Sequence, residues 1–256
     1  MFLQKFFTRK ITRKVPEVII FFWIIKLLTT AMGESTSDFM VHHFDPAVAV
    51  IIGFIGFIIA MVLQLRAQKY VAWIYWLAVT MVAIFGTMAA DVVHIGLGVP
   101  YLISTIFFAI ALAIIFFIWF KVEKSLSIHS ISTPRRELFY WLTVVTTFAL
   151  GTATGDMTAS TFAWGYLISG IVFGILFLLP LIIYKVSGKY EVFTFWFAYI
   201  MTRPFGASFA DYFGRTQDLG GIGFGTGRTS IVLTILIILF VAYLIFTRKD
   251  IKNEKK

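Results

Sequence analysis

The sequence lacks cysteine and is poor in charged residues. The absence of cysteine among its 256 residues excludes disulfides, thiolate metal sites and cysteine nucleophiles. Charged residues make up 14% of the chain, whereas a soluble domain has about a quarter. Hydrophobic residues make up 59% and aromatic residues 18%. This composition is typical of an integral membrane protein. No cleavable signal peptide is evident, because the first apolar run continues into polar residues without a small-residue cleavage site.

Apolar runs of membrane-spanning length occur eight times along the chain. A bilayer core of roughly 30 Å requires about 20 apolar residues in a helix. The runs cover approximately residues 17–37, 46–65, 70–90, 99–120, 137–155, 163–184, 191–211 and 228–247. Because the connections between them are short, we expect an all-α membrane protein with eight transmembrane helices and a single membrane domain over residues 1–256.

The basic residues predict the orientation of these helices. Of the 22 Lys and Arg residues, 18 fall in the N-terminal arm, the C-terminal tail and the connections after the second, fourth and sixth runs. The positive-inside rule places that side, with both termini, in the cytoplasm. The net charge of +9 therefore reflects membrane topology, and we expect no nucleic-acid partner. The predicted location is the bacterial cytoplasmic (inner) membrane.

An internal repeat is in register with the apolar runs. Each copy has a tryptophan, a glycine ten residues later and an aspartate fifteen residues later. The four copies contain Trp23, Gly33 and Asp38; Trp76, Gly86 and Asp91; Trp141, Gly151 and Asp156; and Trp196, Gly206 and Asp211. Each unit has two helices, so successive units share one orientation. We call the helices that carry the tryptophan, glycine and aspartate the marked helices. The repeats predict a pseudo-fourfold bundle with the marked helices inside, where their glycines allow close approach of the backbones. The repeats cover approximately residues 15–65, 66–121, 135–185 and 189–247.

The repeat resembles a bacterial family described as a repeat of unknown function (domain of unknown function 347). The segments that carry the resemblance are FFWIIKLLTTAMGESTSD, YWLAVTMVAIFGTMAAD, FYWLTVVTTFALGTATGD and FWFAYIMTRPFGASFAD, and it extends over about residues 15–247. It implies four tandem repeats, each with two membrane spans and a characteristic tryptophan. It implies no activity, so the function has to be inferred from the residues.

The four repeat aspartates are the main candidate functional residues. A carboxylate at the edge of a membrane costs several kcal/mol unless it is paired or hydrated. One interpretation is that aspartate only marks a helix end or caps the following turn. The other is an acidic ring on the extracytoplasmic side for cations, which prefer carboxylate oxygens.

Histidines follow the first two aspartates. His42 lies four residues after Asp38, and His94 lies three residues after Asp91. These spacings place both side chains of a pair on one helical face. Mixed Asp and His ligands suit divalent metals such as Mn, Fe or Zn. The alternative is that these histidines are solvated loop residues near the membrane interface.

Two basic residues lie within the marked helices. Lys26 and Arg203 occupy the third and seventh positions after the tryptophan, in the first and last units. A closed ring makes those units neighbours, and a buried cation needs a partner, for which Glu34 is a candidate. The pair is either a structural ion pair or a charge that moves or competes with substrate during transport. Pro204 is expected to kink its helix.

A small secondary transporter or channel for cations is the function that these residues favour. The substrate would be a cation, with a divalent metal ion for export as one candidate, and no other cofactor is expected. A non-catalytic membrane partner or sensor is an alternative. An intramembrane enzyme is another, although no nucleophile or cofactor fingerprint supports it.

Overall fold

The computed structural model describes residues 13–251, which form eight long α-helices and no strand. In chain order the helices are α1 (Ile20–His43), α2 (Pro46–Arg66), α3 (Ala72–Asp91), α4 (Tyr101–Glu123), α5 (Pro134–Asp156), α6 (Gly165–Ser187), α7 (Glu191–Gly214) and α8 (Thr226–Thr247). Each predicted run corresponds to one helix. Of the basic residues used to predict topology, Lys5, Arg9, Lys10, Lys252, Lys255 and Lys256 lie outside the described residues.

Six of these helices, α2, α3, α4, α5, α6 and α8, are long and apolar enough to cross a membrane. The other two, α1 and α7, contain the charged residues Lys26, Glu34 and Arg203, which lower their hydropathy. These three side chains are at most 3% exposed, so they face protein rather than the surroundings. The outer faces of the apolar helices expose large hydrophobic side chains, as expected for a surface in contact with lipid.

The odd-numbered helices form a closed ring. Helix α1 packs against α3 and α7, and α5 packs against α3 and α7, so each inner helix has two inner neighbours. The even-numbered helices lie outside this ring. Each packs mainly against the inner helix of the following repeat, since α2 contacts α3, α4 contacts α5, α6 contacts α7 and α8 contacts α1. The last contact closes the cycle, so the repeats interlock.

The repeat glycines lie where neighbouring inner helices come closest. In each case the glycine of one repeat faces the residue seven positions after the tryptophan of the next repeat. The pairs are Gly33 with Ala83, Gly86 with Phe148, Gly151 with Arg203, and Gly206 with Thr30. This cyclic pattern requires the four inner helices to run in the same direction at the same level. The ring therefore has a tryptophan end and an aspartate end.

Aromatic side chains close the tryptophan end of the ring. The residue before each tryptophan contacts the tryptophan of the next repeat, with ring centroids 5.7–6.1 Å apart. The four pairs are Phe22 with Trp76, Tyr75 with Trp141, Tyr140 with Trp196, and Phe195 with Trp23. All eight side chains are at most 9% exposed. The repeated tryptophans therefore pack between repeats, and we call these eight residues the aromatic layer.

The aspartate end differs between repeats. Helices α3 and α5 end at Asp91 and Asp156, and each continues into one π-helical turn, Val92–Gly96 or Met157–Thr161. Helices α1 and α7 instead remain α-helical beyond their aspartates. The four repeats thus divide into two neighbouring pairs at this end.

Candidate functional site

The four repeat aspartates lie at the aspartate end of the ring, near the C-termini of the inner helices. Asp38 and Asp211 are buried, with 6% and 4% exposure. Asp91 and Asp156, which precede the π-helical turns, are partly exposed. We call these four residues and Glu34, one helical turn further inside, the acid layer.

Three carboxylates of the acid layer converge. One oxygen from each of Glu34, Asp156 and Asp211 lies within 4.8 Å of the other two. These residues come from α1, α5 and α7, so only ring closure brings them together. Three carboxylate oxygens at this separation are able to coordinate one divalent cation. The sequence singled out all three residues but did not predict which carboxylates meet.

Arg203 occupies the ring axis directly inside the acid layer. Its Nη2 lies within hydrogen-bonding distance of three oxygens and shares its two hydrogens among them: Glu34 Oε2 at 2.5 Å, Thr152 Oγ1 at 2.9 Å and Thr87 Oγ1. Glu34, Thr87 and Thr152 are eleven residues after the tryptophans of the first three repeats. The equivalent residue of the fourth repeat is the smaller Ala207. One guanidinium of the fourth repeat therefore contacts the other three repeats, and Glu34 is its carboxylate partner.

Arg215 is a residue of the site that the sequence reasoning missed. Its guanidinium lies 2.8 Å from Asp38 Oδ2 and 3.1 Å from Asp211 Oδ1. It therefore links the first and last repeats, and it forms ion pairs with two aspartates that are buried. Its spacing of four residues from Asp211 is the signal that would have found it, because that spacing places both side chains on one helical face.

The loop between α7 and α8 is rich in glycine over residues 220–225 and folds back onto the end of α7. The backbone N–H groups of Ile222, Gly223 and Phe224 donate to the carbonyls of Tyr212, Arg215 and Phe213. These bonds fix the backbone next to the Arg215 side chain. Pro204 lies within α7, which continues through it from Glu191 to Gly214.

The two predicted Asp–His pairs have different surroundings. His42 Nδ1 lies 2.7 Å from the backbone oxygen of Asp38, so this contact does not involve the carboxylate. His94 Nδ1 lies 3.2 Å from Ser104 Oγ on α4 and 3.4 Å from the Val99 backbone oxygen. Among the described residues, the potential ligand cluster of three or more groups contains Glu34, Asp156 and Asp211 and neither histidine.

Lys26 lies deeper on the axis, between aromatic rings. Its Nζ is 3.9 Å from the ring centroid of Phe148 and 4.1 Å from that of Tyr199. Arg203 Cζ lies 5.7 Å from the same Phe148 centroid, so Phe148 contacts both basic side chains buried within the ring. No ion pair among residues 13–251 includes Lys26. Glu34 therefore forms its ion pair with Arg203 rather than with Lys26.

The family of the chain follows from its repeats. A family model described as Repeat of Unknown Function (DUF347) matches residues 21–70, 74–125, 139–190 and 194–250. The chain belongs to this family. Each matched segment begins two residues before a repeat tryptophan, so the family repeat has the register deduced from the sequence. No curated protein and no solved structure matches the chain.

Proposed function

We propose that this DUF347 protein is a proton-coupled secondary transporter for cations, with a divalent metal ion as the candidate substrate. The convergence of Glu34, Asp156 and Asp211 carries the proposal, because hard cations bind to carboxylate oxygens. The acid layer is the proposed site where cations and protons compete.

The proposed topology has all eight helices crossing the bacterial cytoplasmic membrane, with both termini in the cytoplasm. Helices α1 and α7 are included because they lie alongside α3 and α5 in one ring and bury their charged residues within it. The positive-inside rule then puts the tryptophan end, where Arg66 and Lys69 connect two helices, in the cytoplasm. The acid layer lies on the extracytoplasmic side.

The balance of charge supports a cationic substrate. Five carboxylates of the acid layer face two basic side chains, Arg203 and Arg215, which leaves three negative charges if every group is ionised. A divalent cation would neutralise most of this excess. Arg215 already pairs with two of the aspartates, so the side with Asp91 and Asp156 is the proposed route of entry.

The contents of the axis favour a carrier over an open channel. From the acid layer to the tryptophan end, the axis is occupied in turn by Arg203, Phe148, Lys26 and the aromatic layer. A hydrated ion would have to displace these side chains to pass. Transport through this ring therefore requires a conformational change, which is the property of a carrier.

The test compares Asp156→Asn with Asp218→Asn, which changes an exposed carboxylate in the loop after α7. Binding of Mn²⁺ and Zn²⁺ to protein in lipid nanodiscs would be measured by calorimetry, and flux would be measured in proteoliposomes. We expect Asp156→Asn to weaken binding at least about tenfold, since loss of a supporting group alone costs about that much. Asp218→Asn should resemble the parent. Equal binding and flux in the two variants would refute the proposal.

A further inference from the structure

A column of polar side chains fills the ring axis between Phe148 and the tryptophan end. It contains Lys26 on α1, Tyr199 on α7, Tyr140 on α5 and Tyr75 on α3. All four side chains are at most 1% exposed. The transport site described above lies on the other side of Arg203 and Phe148, so the cation site itself does not use these groups.

The tyrosine hydroxyls of the column lie side by side. Tyr75 and Tyr140 share a hydrogen bond between their hydroxyl groups. Tyr199 is fully buried next to Tyr140, and the side chains of these two tyrosines interact through their hydroxyl groups. Lys26 Nζ adjoins the ring of Tyr199 and extends the column toward the acid layer.

Packing alone does not require polar groups at this level. Lys26 and Tyr199 occupy the third position after the tryptophan in the first and fourth repeats, where the other two repeats have Val79 and Val144. Both valines are fully buried. Apolar side chains thus fill the equivalent positions, and burying a polar group instead costs free energy.

The column continues toward the surface at the tryptophan end. The rings of Tyr75 and Tyr70 contact each other edge to face, with centroids 5.8 Å apart. Tyr70 Oη donates a hydrogen bond to Asp250 Oδ2 at 2.5 Å. Asp250 follows α8, so an ionisable carboxylate terminates the series of tyrosines.

We propose that Lys26, Tyr199, Tyr140 and Tyr75 form a proton path between the acid layer and the cytoplasmic face. This inference rests on the proposed function, because it supplies the route by which protons released from the acid layer leave. Each hydroxyl accepts a proton from the preceding group and donates its own to the next oxygen, so no net charge accumulates on a tyrosine. Lys26 accepts a proton on its amine and passes it on. Arg203 and the ring of Phe148 lie between Lys26 and the carboxylates, so a proton reaches the Lys26 amine only when the conformational change of the carrier moves these two side chains, which prevents free proton leakage.

The test uses Tyr140→Phe, which removes one hydroxyl from the column and keeps the ring that packs on Trp196. Lys26→Met is the second variant, since it keeps the aliphatic length and removes the amine. Tyr184→Phe is the matched control, because it removes a hydroxyl from an exposed tyrosine of α6. Two readouts would be taken from each protein. One is divalent-metal binding in nanodiscs, and the other is proton flux driven by a metal gradient in proteoliposomes containing a pH-sensitive dye.

We expect both column variants to bind metal as the parent does and to lose at least about nine-tenths of the proton flux, while Tyr184→Phe retains it. Retained binding also shows that the variants are folded. If the parent binds metal and the column variants keep their proton flux, the proton path is wrong and the proposed function stands. If the parent binds no metal, the proposed function and the path that rests on it both fail.

Discussion

Replacing Gly33 by alanine would place a methyl group 2.8 Å from the backbone carbonyl carbon of Ala83. This distance is well below van der Waals contact. The obstacle is the backbone of a neighbouring helix, so no side-chain rotation relieves it. The two helices would have to separate at a point where the ring closes, and the change tests whether glycine is needed for the approach of α1 and α3.

The expected change in the free energy of unfolding of Gly33→Ala results from two opposing contributions. Alanine is favoured over glycine within a helix by about 1 kcal/mol. Overpacking of a well-packed interior costs about 1–3 kcal/mol, and a backbone obstacle puts Gly33→Ala at the upper end of that range. We therefore expect a net loss of roughly 2 kcal/mol in the free energy of unfolding.

Other glycines of the inner helices provide graded controls. A Cβ at Gly86 would lie 3.1 Å from the Phe148 Cβ. In Gly86→Ala the gain in helix propensity and the cost of overpacking should therefore nearly cancel. A Cβ at Gly155 would lie 3.7 Å from Pro204, which is ordinary contact, so Gly155→Ala should be neutral or slightly stabilising. Unfolding by SDS titration in mixed micelles measures the series. If Gly33→Ala is as stable as Gly155→Ala, the inference that α1 and α3 pack in close contact at Gly33 is wrong.

Two further substitutions test local features away from the axis. Ala163 has a positive φ of 54°, whereas the equivalent residue of the second repeat is Gly98, so Ala163→Gly should stabilise the protein by about 1 kcal/mol in the same titration. A loss of stability would contradict the assigned turn. Burial raises the pKa of Asp250 although the Tyr70 hydrogen bond opposes this, so ionisation of Asp250 disfavours the folded state. The parent should therefore lose stability relative to Asp250→Asn as the pH rises from below about 4 to neutrality, and a pH-independent difference would refute this.

The sequence alone determined the repeat and its consequences. Trp23, Gly33, Asp38 and their counterparts share fixed spacings, and two helices per unit give every unit the same direction. These facts are local, because they depend on helical periodicity and on the length of apolar runs. They were sufficient to predict eight helices, the inner position of the marked helices and the common level of the aspartates.

Only the tertiary structure decided how the repeats differ from one another. Glu34 pairs with Arg203 and not with Lys26, because ring closure brings α1 and α7 together at a definite rotation. Arg215 reaches two aspartates from different repeats, and the π-helical turns leave Asp91 and Asp156 partly exposed. Contacts between residues far apart in the chain depend on the relative rotation of whole helices. Spacing within one helix carries no information about that rotation, so the equivalent aspartates of the sequence become inequivalent in the fold.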